Sequence, residues 1–154
     1  MNLQTLSGAA LLPHLDAVAA LRIAVFRDWP YLYAGDAAYE REYLAAYVAS
    51  PDSVLVLALD GGRVVGAATG LPLAHDPDAF SEPLRKAGMP GGQVFYCGES
   101  VLRPGYRGRG VSHAFFDERE AHARALGRFR WTAFCSVDRE AADPRRPPGD
   151  RPNG

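Results

Sequence analysis

Between residues 93 and 137 the chain reads strand, glycine turn, helix, strand, and that order leaves few folds open. Residues 93–102 (QVFYCGESVL) have strand length and are rich in β-branched and aromatic side chains. After Arg103 and Pro104 come two arginines alternating with two glycines, Arg107 to Gly110. A helical run from Gly110 to Leu126 follows, with Gly127 suited to stop it. Residues 130–137 (RWTAFCSV) return as a strand. Such a strand–helix–strand unit closes as a right-handed crossover with its two strands parallel.

Upstream, the apolar period shifts from helical to extended. Leu11 to Trp29 places Leu15, Val18, Ala19, Val25 and Phe26 at helical spacing, with Arg22 as a break. Pro13 suits its first turn and Pro30 its stop. Tyr39 to Val48 predicts a second helix carrying Tyr43, Ala46 and Tyr47 on one face, ended at Ser50-Pro51. Residues 54–59 (VLVLAL) and 63–69 (RVVGAAT) flank Asp60-Gly61-Gly62, a hairpin signal that makes this pair antiparallel. Leu3 to Leu6 reads as a short edge strand. Residues 71–92 are rich in Pro, Gly and Asp, with a helical turn or two near 79–87, and a connection this long tends to be functional. Gly98 inside the third strand points to a bulge or a close backbone approach. The predicted class is α/β, three layers around a mixed, mostly antiparallel sheet.

A chain of 154 residues is one domain's worth of sequence, here residues 1–137, with 138–154 as an irregular proline- and arginine-rich tail. The formal net charge of −1 argues against nucleic acid or an anionic membrane as partner. No apolar run approaches the roughly 20 residues that span a bilayer, and the first residues lack a signal peptide's basic start and cleavage site. Cys97 and Cys135 sit in apparent strands without metal-ligand spacing, and His14, His75, His113 and His122 are scattered. The expectation is a cytoplasmic protein with reduced cysteines and no metal.

The Arg-Gly stretch is where chemistry enters. A helix N-terminus offers unpaired N–H groups and a partial positive charge, so it favours phosphate. Gly108 and Gly110 let the backbone approach a ligand, and Arg107 and Arg109 add charged donors. A P-loop would need a Lys-Ser/Thr pair after the glycines, and none is present. A dinucleotide fingerprint would need a third glycine where His113 stands. The plain alternative is a glycine-rich turn with two solvated arginines.

At Arg107-Gly108-Arg109-Gly110-Val111-Ser112, preceded by Leu102-Arg103-Pro104 and Tyr106, the sequence resembles the GNAT superfamily of N-acetyltransferases. Its signature is [RQ]-x-x-G-x-[GA] after a strand, and Ser112 stands in place of the usual final glycine or alanine. The order of predicted elements over residues 3 to 137 fits as well. The resemblance implies a sheet splayed at the coenzyme site, between the strands at 93–102 and 130–137. It implies acetyl-CoA as cosubstrate, with the pantetheine arm along the backbone of Ser100, Val101 and Leu102. The pyrophosphate would lie on the N–H groups from Gly108 through Arg109, Gly110, Val111 and Ser112 to His113, with Arg107 at its edge.

It further implies direct attack of a primary amine on the thioester, the amine belonging to a small molecule or a peptide. Glu99, three residues before Leu102 and beside Gly98, is the candidate base; pairing with an arginine at the strand end is its structural alternative. A backbone N–H near Val101 or Leu102 would meet the oxyanion. The leaving-group acid is often a tyrosine on a helix beyond the last strand, a helix this chain does not include; Tyr96 and Tyr106 are the tyrosines near the motif. Three arrangements are compatible with that: a fragment of a longer protein, a homodimer whose partner completes the sheet, or a coenzyme-binding remnant. Asp28, Trp29, Tyr31 and Tyr33 form either an acceptor loop or packing aromatics after the first helix. His75 is either an acceptor-groove residue or a solvated loop histidine.

Overall fold

A computed structural model describes residues 1–27, 37–75, 86–88 and 91–134. Among them one five-stranded sheet runs in the order β1-β2-β3-β4-β5. Its strands are β1 (Asn2–Leu6), β2 (Val54–Asp60), β3 (Arg63–Pro72), β4 (Val94–Leu102) and β5 (Trp131–Phe134). The first three ladders are antiparallel and the β4–β5 ladder is parallel, so the sheet is mixed as expected. Helices α1 (Leu15–Phe26) and α2 (Ala37–Ala49) cover one face, and α3 (Val111–Leu126) covers the other.

Two cores result. On the α1/α2 face Leu21, Tyr47, Leu55, Leu57, Leu71 and Tyr96 are buried; on the α3 face Val54, Val56, Phe95, Cys97 and Phe115 are. Residues of β2 feed both cores in turn, which is why VLVLAL is continuously apolar instead of alternating. Each such side chain removed from water contributes about 1.5–3 kcal/mol. β1 is exposed except at the half-buried Leu6 and is held by its ladder to β2. That is the reason its pattern is faint in the sequence.

Two helix expectations shift. The α-helix begins at Leu15, not Leu11, because Gly8–His14, with Pro13 inside it, winds as a 3₁₀ helix. Arg22 is not a break in the inner face of α1 but a buried part of it. Taken together, Gly8–Phe26 is long and apolar enough to cross a membrane by length and composition, counter to the sequence expectation. Leu11, Val18, Leu21, Val25 and Phe26 spend that apolarity on the core. The aromatic loop at 28–33, the turns predicted in 79–85, residues 135–137 with Cys135, and the tail at 138–154 lie outside the described residues.

The feature that positions the site is a bulge in β4. Ala68 pairs with Ser100 and Gly70 with Cys97, so Gly98 and Glu99 together oppose Thr69. The extra residue brings the Glu99 side chain to the α1/α2 face, while Ser100 meets α3. No side chain fits at 98: an added Cβ would run into the Tyr47 hydroxyl and lie 2.7 Å from Thr69 Oγ1.

Candidate active site

Among the described residues β4 pairs with β5 from Val94 to Cys97, and β4 continues five residues to Leu102. Past Cys97, no described residue pairs with the β5-side edge of β4. Val101 and Leu102 bury their side chains in the two cores, so only their backbone is offered at that edge. The strand ends in a 3₁₀ turn, Pro104–Tyr106, pinned by the Arg103 N–H to the Val65 carbonyl at 2.9 Å.

The Arg-Gly turn then opens α3. Gly108 and Gly110 hold φ of 77° and 79°, left-handed values that other residues adopt only at a cost. A Cβ at either would meet nothing within 4 Å, so their outer side is open. The first intrahelical bond is donated by Ala114 to the Gly110 carbonyl at 3.0 Å, leaving Val111, Ser112 and His113 without intrahelical acceptors. Val111 is buried and anchors the turn, whereas Ser112 and His113 are exposed.

Arg107 and Arg109 are both exposed on this turn. Arg107 Nε donates to the Leu102 carbonyl at 3.3 Å, tying turn to strand. Arg109 lies over the Tyr106 ring at 5.3 Å. The Tyr106 hydroxyl donates to Asp60 Oδ2 at 2.5 Å, and this bond holds the phenol above its ordinary pKa. Tyr106 thus braces the turn against the β2–β3 hairpin. Tyr96 is buried in the core.

Glu99 is 23% exposed and its Oε2 is ion-paired with Arg22 Nη1. Arg22, itself 3% exposed, also gives Nε to Glu40 Oε2, and Glu40 is fully enclosed. The guanidinium lies 4.0 Å from the Tyr43 ring centroid and 4.9 Å from that of Phe26. Behind Glu99 the Tyr43 hydroxyl stands 3.1 Å from that of Tyr47 and 3.3 Å from Thr69 Oγ1. Thr69 Oγ1 in turn accepts the Glu99 N–H at 3.1 Å. The base candidate and its structural alternative are therefore combined in one residue: Glu99 does pair with an arginine, and it keeps an exposed edge.

From the other face, α3 sends Arg119 under the same bulge, 6% exposed. Its Nη1 donates to the carbonyls of Thr69 at 3.3 Å and Glu99 at 3.2 Å, and its Nη2 to Ser100 Oγ at 2.8 Å. Burial pulls its pKa below the ordinary arginine value, which still leaves a cation at neutral pH. Cys97, on the same face, is 1% exposed, and burial raises its thiol pKa.

The sequence reading did not find Arg22, Glu40 or Arg119 as site residues. The signal was present: Arg119 stands on the stripe Val111, Phe115, Arg119, Ala123, a charged residue at buried spacing. His75 is exposed and its Nδ1 is 2.8 Å from Ser50 Oγ, away from the bulge.

The sequence model of the Acetyltransferase (GNAT) family matches residues 19–144. The chain belongs to the GNAT acetyltransferase family. No curated protein sequence matches it. Among solved structures, aminoglycoside N-acetyltransferase AAC(6')-Iy in complex with CoA is similar, with TM-score 0.58 and 16% identity over 90% of this chain and 81% of that one. The same acetyltransferase with the bisubstrate analog CoA-S-monomethyl-acetylneamine gives TM-score 0.57 and 17% identity, covering 91% of this chain and 83% of that one. An aminoglycoside acetyltransferase from an uncultured soil metagenomic sample in complex with sisomicin gives TM-score 0.58 and 13% identity, covering 88% of this chain and 77% of that one. At these identities the likeness is one of fold, and the fold is the GNAT α/β architecture.

Proposed function

We propose that this GNAT chain transfers an acetyl group from acetyl-CoA to a primary amine of a small molecule by direct attack. The observation that carries the proposal is the continuity of β4: it runs through its bulge to Leu102 and leads into a glycine turn at which α3 begins with N–H groups that have no intrahelical acceptor. A peptide-like pantetheine arm suits the edge at Ser100 to Leu102, and a pyrophosphate suits the turn from Arg107 to His113. Glu99, beside that edge and partly exposed, takes the amine proton directly or through water. The neighbours' sisomicin and neamine-derived ligands support an amine-rich small molecule as acceptor.

One observation favours a second reading, a coenzyme-binding module without turnover: Arg22 already occupies Glu99 Oε2. The two readings separate in one experiment. Coenzyme A at about 100 times its dissociation constant should stabilise the protein by about 2.7 kcal/mol, and ATP should not. Thiol release from acetyl-CoA is then followed with sisomicin, neamine and a lysine peptide. Glu99→Gln should keep the coenzyme shift and lose about 10²–10⁴ in turnover at neutral pH. A coenzyme shift with no thiol release on any amine supports the module, and no shift at all removes both readings.

A further inference from the structure

Arg119 is a buried guanidinium whose hydrogen-bond partners among the described residues are all neutral oxygens: the carbonyls of Phe115, Thr69 and Glu99, and the Ser100 hydroxyl. Among the described residues no carboxylate lies within ion-pair distance of it. A buried cation without a counter-ion is the least favourable way to hold a strand bulge, because a neutral donor would do so without the desolvation of a charge. Ser100 is the one exposed member of the cluster. Ser100 Oγ accepts from Nη2 at 2.8 Å, and no described group takes its own O–H. A hydroxyl whose lone pair is bound by a cation is a stronger donor through its proton. Ser100 itself lies on the stretch of β4 beyond Cys97, where the coenzyme arm is proposed to run.

We propose that Ser100, with Arg119 as its positioning residue, stabilises the thiolate that leaves when the thioester is cleaved. The inference rests on the proposed placement of the coenzyme arm along β4. From Val111, at the phosphate end, to Arg119 is eight residues of α3, a rise of about 12 Å that carries the charge from the turn to the bulge. As the amine nitrogen bonds to the carbonyl carbon, the carbon–sulfur bond breaks and its electron pair goes to sulfur. The amine proton goes to Glu99. Ser100 keeps its proton and donates a hydrogen bond to the sulfur anion, which later takes a proton from water. No separate general acid is then required. The other titratable groups facing this point are Cys97 and Glu99 on β4, Glu120 on α3, Tyr43 and Tyr47 on α2, and Arg22 on α1.

The test needs no acceptor. Coenzyme A is bound to the protein and its thiol titrated by thiolate ultraviolet absorption, with desulfo-coenzyme A as the blank for protein groups. The wild-type complex should ionise the thiol about one pH unit below free coenzyme A, as expected beside an opposite charge. Arg119→Met and Ser100→Ala should return the midpoint to that of the free coenzyme, and Arg119→Lys should retain most of the shift. Should Arg119→Met fail to fold, Ser100→Ala, an exposed position, carries the test. A wild-type midpoint at or above the free value, or equal midpoints in the wild type and Ser100→Ala, overturns the inference while leaving coenzyme binding intact. Absence of coenzyme binding by calorimetry overturns the placement and the inference together.

Discussion

Replacing Arg22 by Met isolates what a buried counter-ion is worth in this fold. Methionine keeps a chain of similar length between the Tyr43 and Phe26 rings, so the substitution removes charge more than volume. Glu40, fully enclosed, then has no cation at Oε2. Breaking a buried pair by deleting one partner costs about 3–5 kcal/mol. The Glu99 arm adds less, since at 23% exposure water can replace the guanidinium. In a chain of 154 residues each kcal/mol lowers Tm by about 2–4 °C, which gives a fall of about 6–20 °C. The double variant Arg22→Met/Glu40→Gln removes the orphaned charge and should recover about 1–3 kcal/mol of the loss as coupling. Urea unfolding followed by circular dichroism measures both. A loss under about 1 kcal/mol in Arg22→Met, or a double variant no more stable than the single, would refute the counter-ion reasoning.

Gly110→Asp puts a Cβ on a residue at φ 79° and a carboxylate at the mouth of the phosphate turn. The strain costs about 1–2 kcal/mol of stability, and coenzyme A affinity should fall at least about tenfold from charge repulsion; unchanged affinity by calorimetry would place the phosphate elsewhere. Cys97 supplies a pH prediction. Burial raises its folded thiol pKa, so its contribution is complete below the unfolded value of about 8.5 and declines as pH rises through the folded one. The stability gap between wild type and Cys97→Ala should hold from about pH 6 to 8 and narrow above about pH 8.5; a gap constant to about pH 10 would contradict it.

The element order was legible because apolar period alone separates helix from strand, and Gly98 announced the bulge that the register at Thr69 displays. What period cannot report is a polar residue with a tertiary partner. Arg22 interrupts an apolar stripe and so reads as a break, yet Glu40 and Glu99 complete it from 18 and 77 positions away. Arg119 differs: on α3 it keeps the buried spacing of Val111, Phe115 and Ala123, but the carbonyls at the bulge that seat it are a tertiary feature. The 3₁₀ start of α1 was hidden for a different reason, since Leu11 and Leu15 keep helical spacing while the winding around Pro13 changes.

The two buried arginines divide the bulge between them. On the α1/α2 face one guanidinium, Arg22, is shared by two carboxylates, Glu40 and Glu99, so that side carries an excess of negative charge when both are ionised. On the α3 face the partners of Arg119 among the described residues are neutral oxygens, so that side carries an excess of positive charge. Acyl transfer from a thioester to an amine separates charge in the same sense: a proton leaves the nitrogen and an anion forms on the sulfur. An amine arriving over Glu99 and a sulfur resting near Ser100 would meet a field already oriented for that separation. Glu40 then has a role beyond filling space, because without its charge Arg22 would be balanced by Glu99 alone and the negative side of the bulge would vanish. In the Glu40→Gln variant, coenzyme affinity should therefore persist while turnover declines.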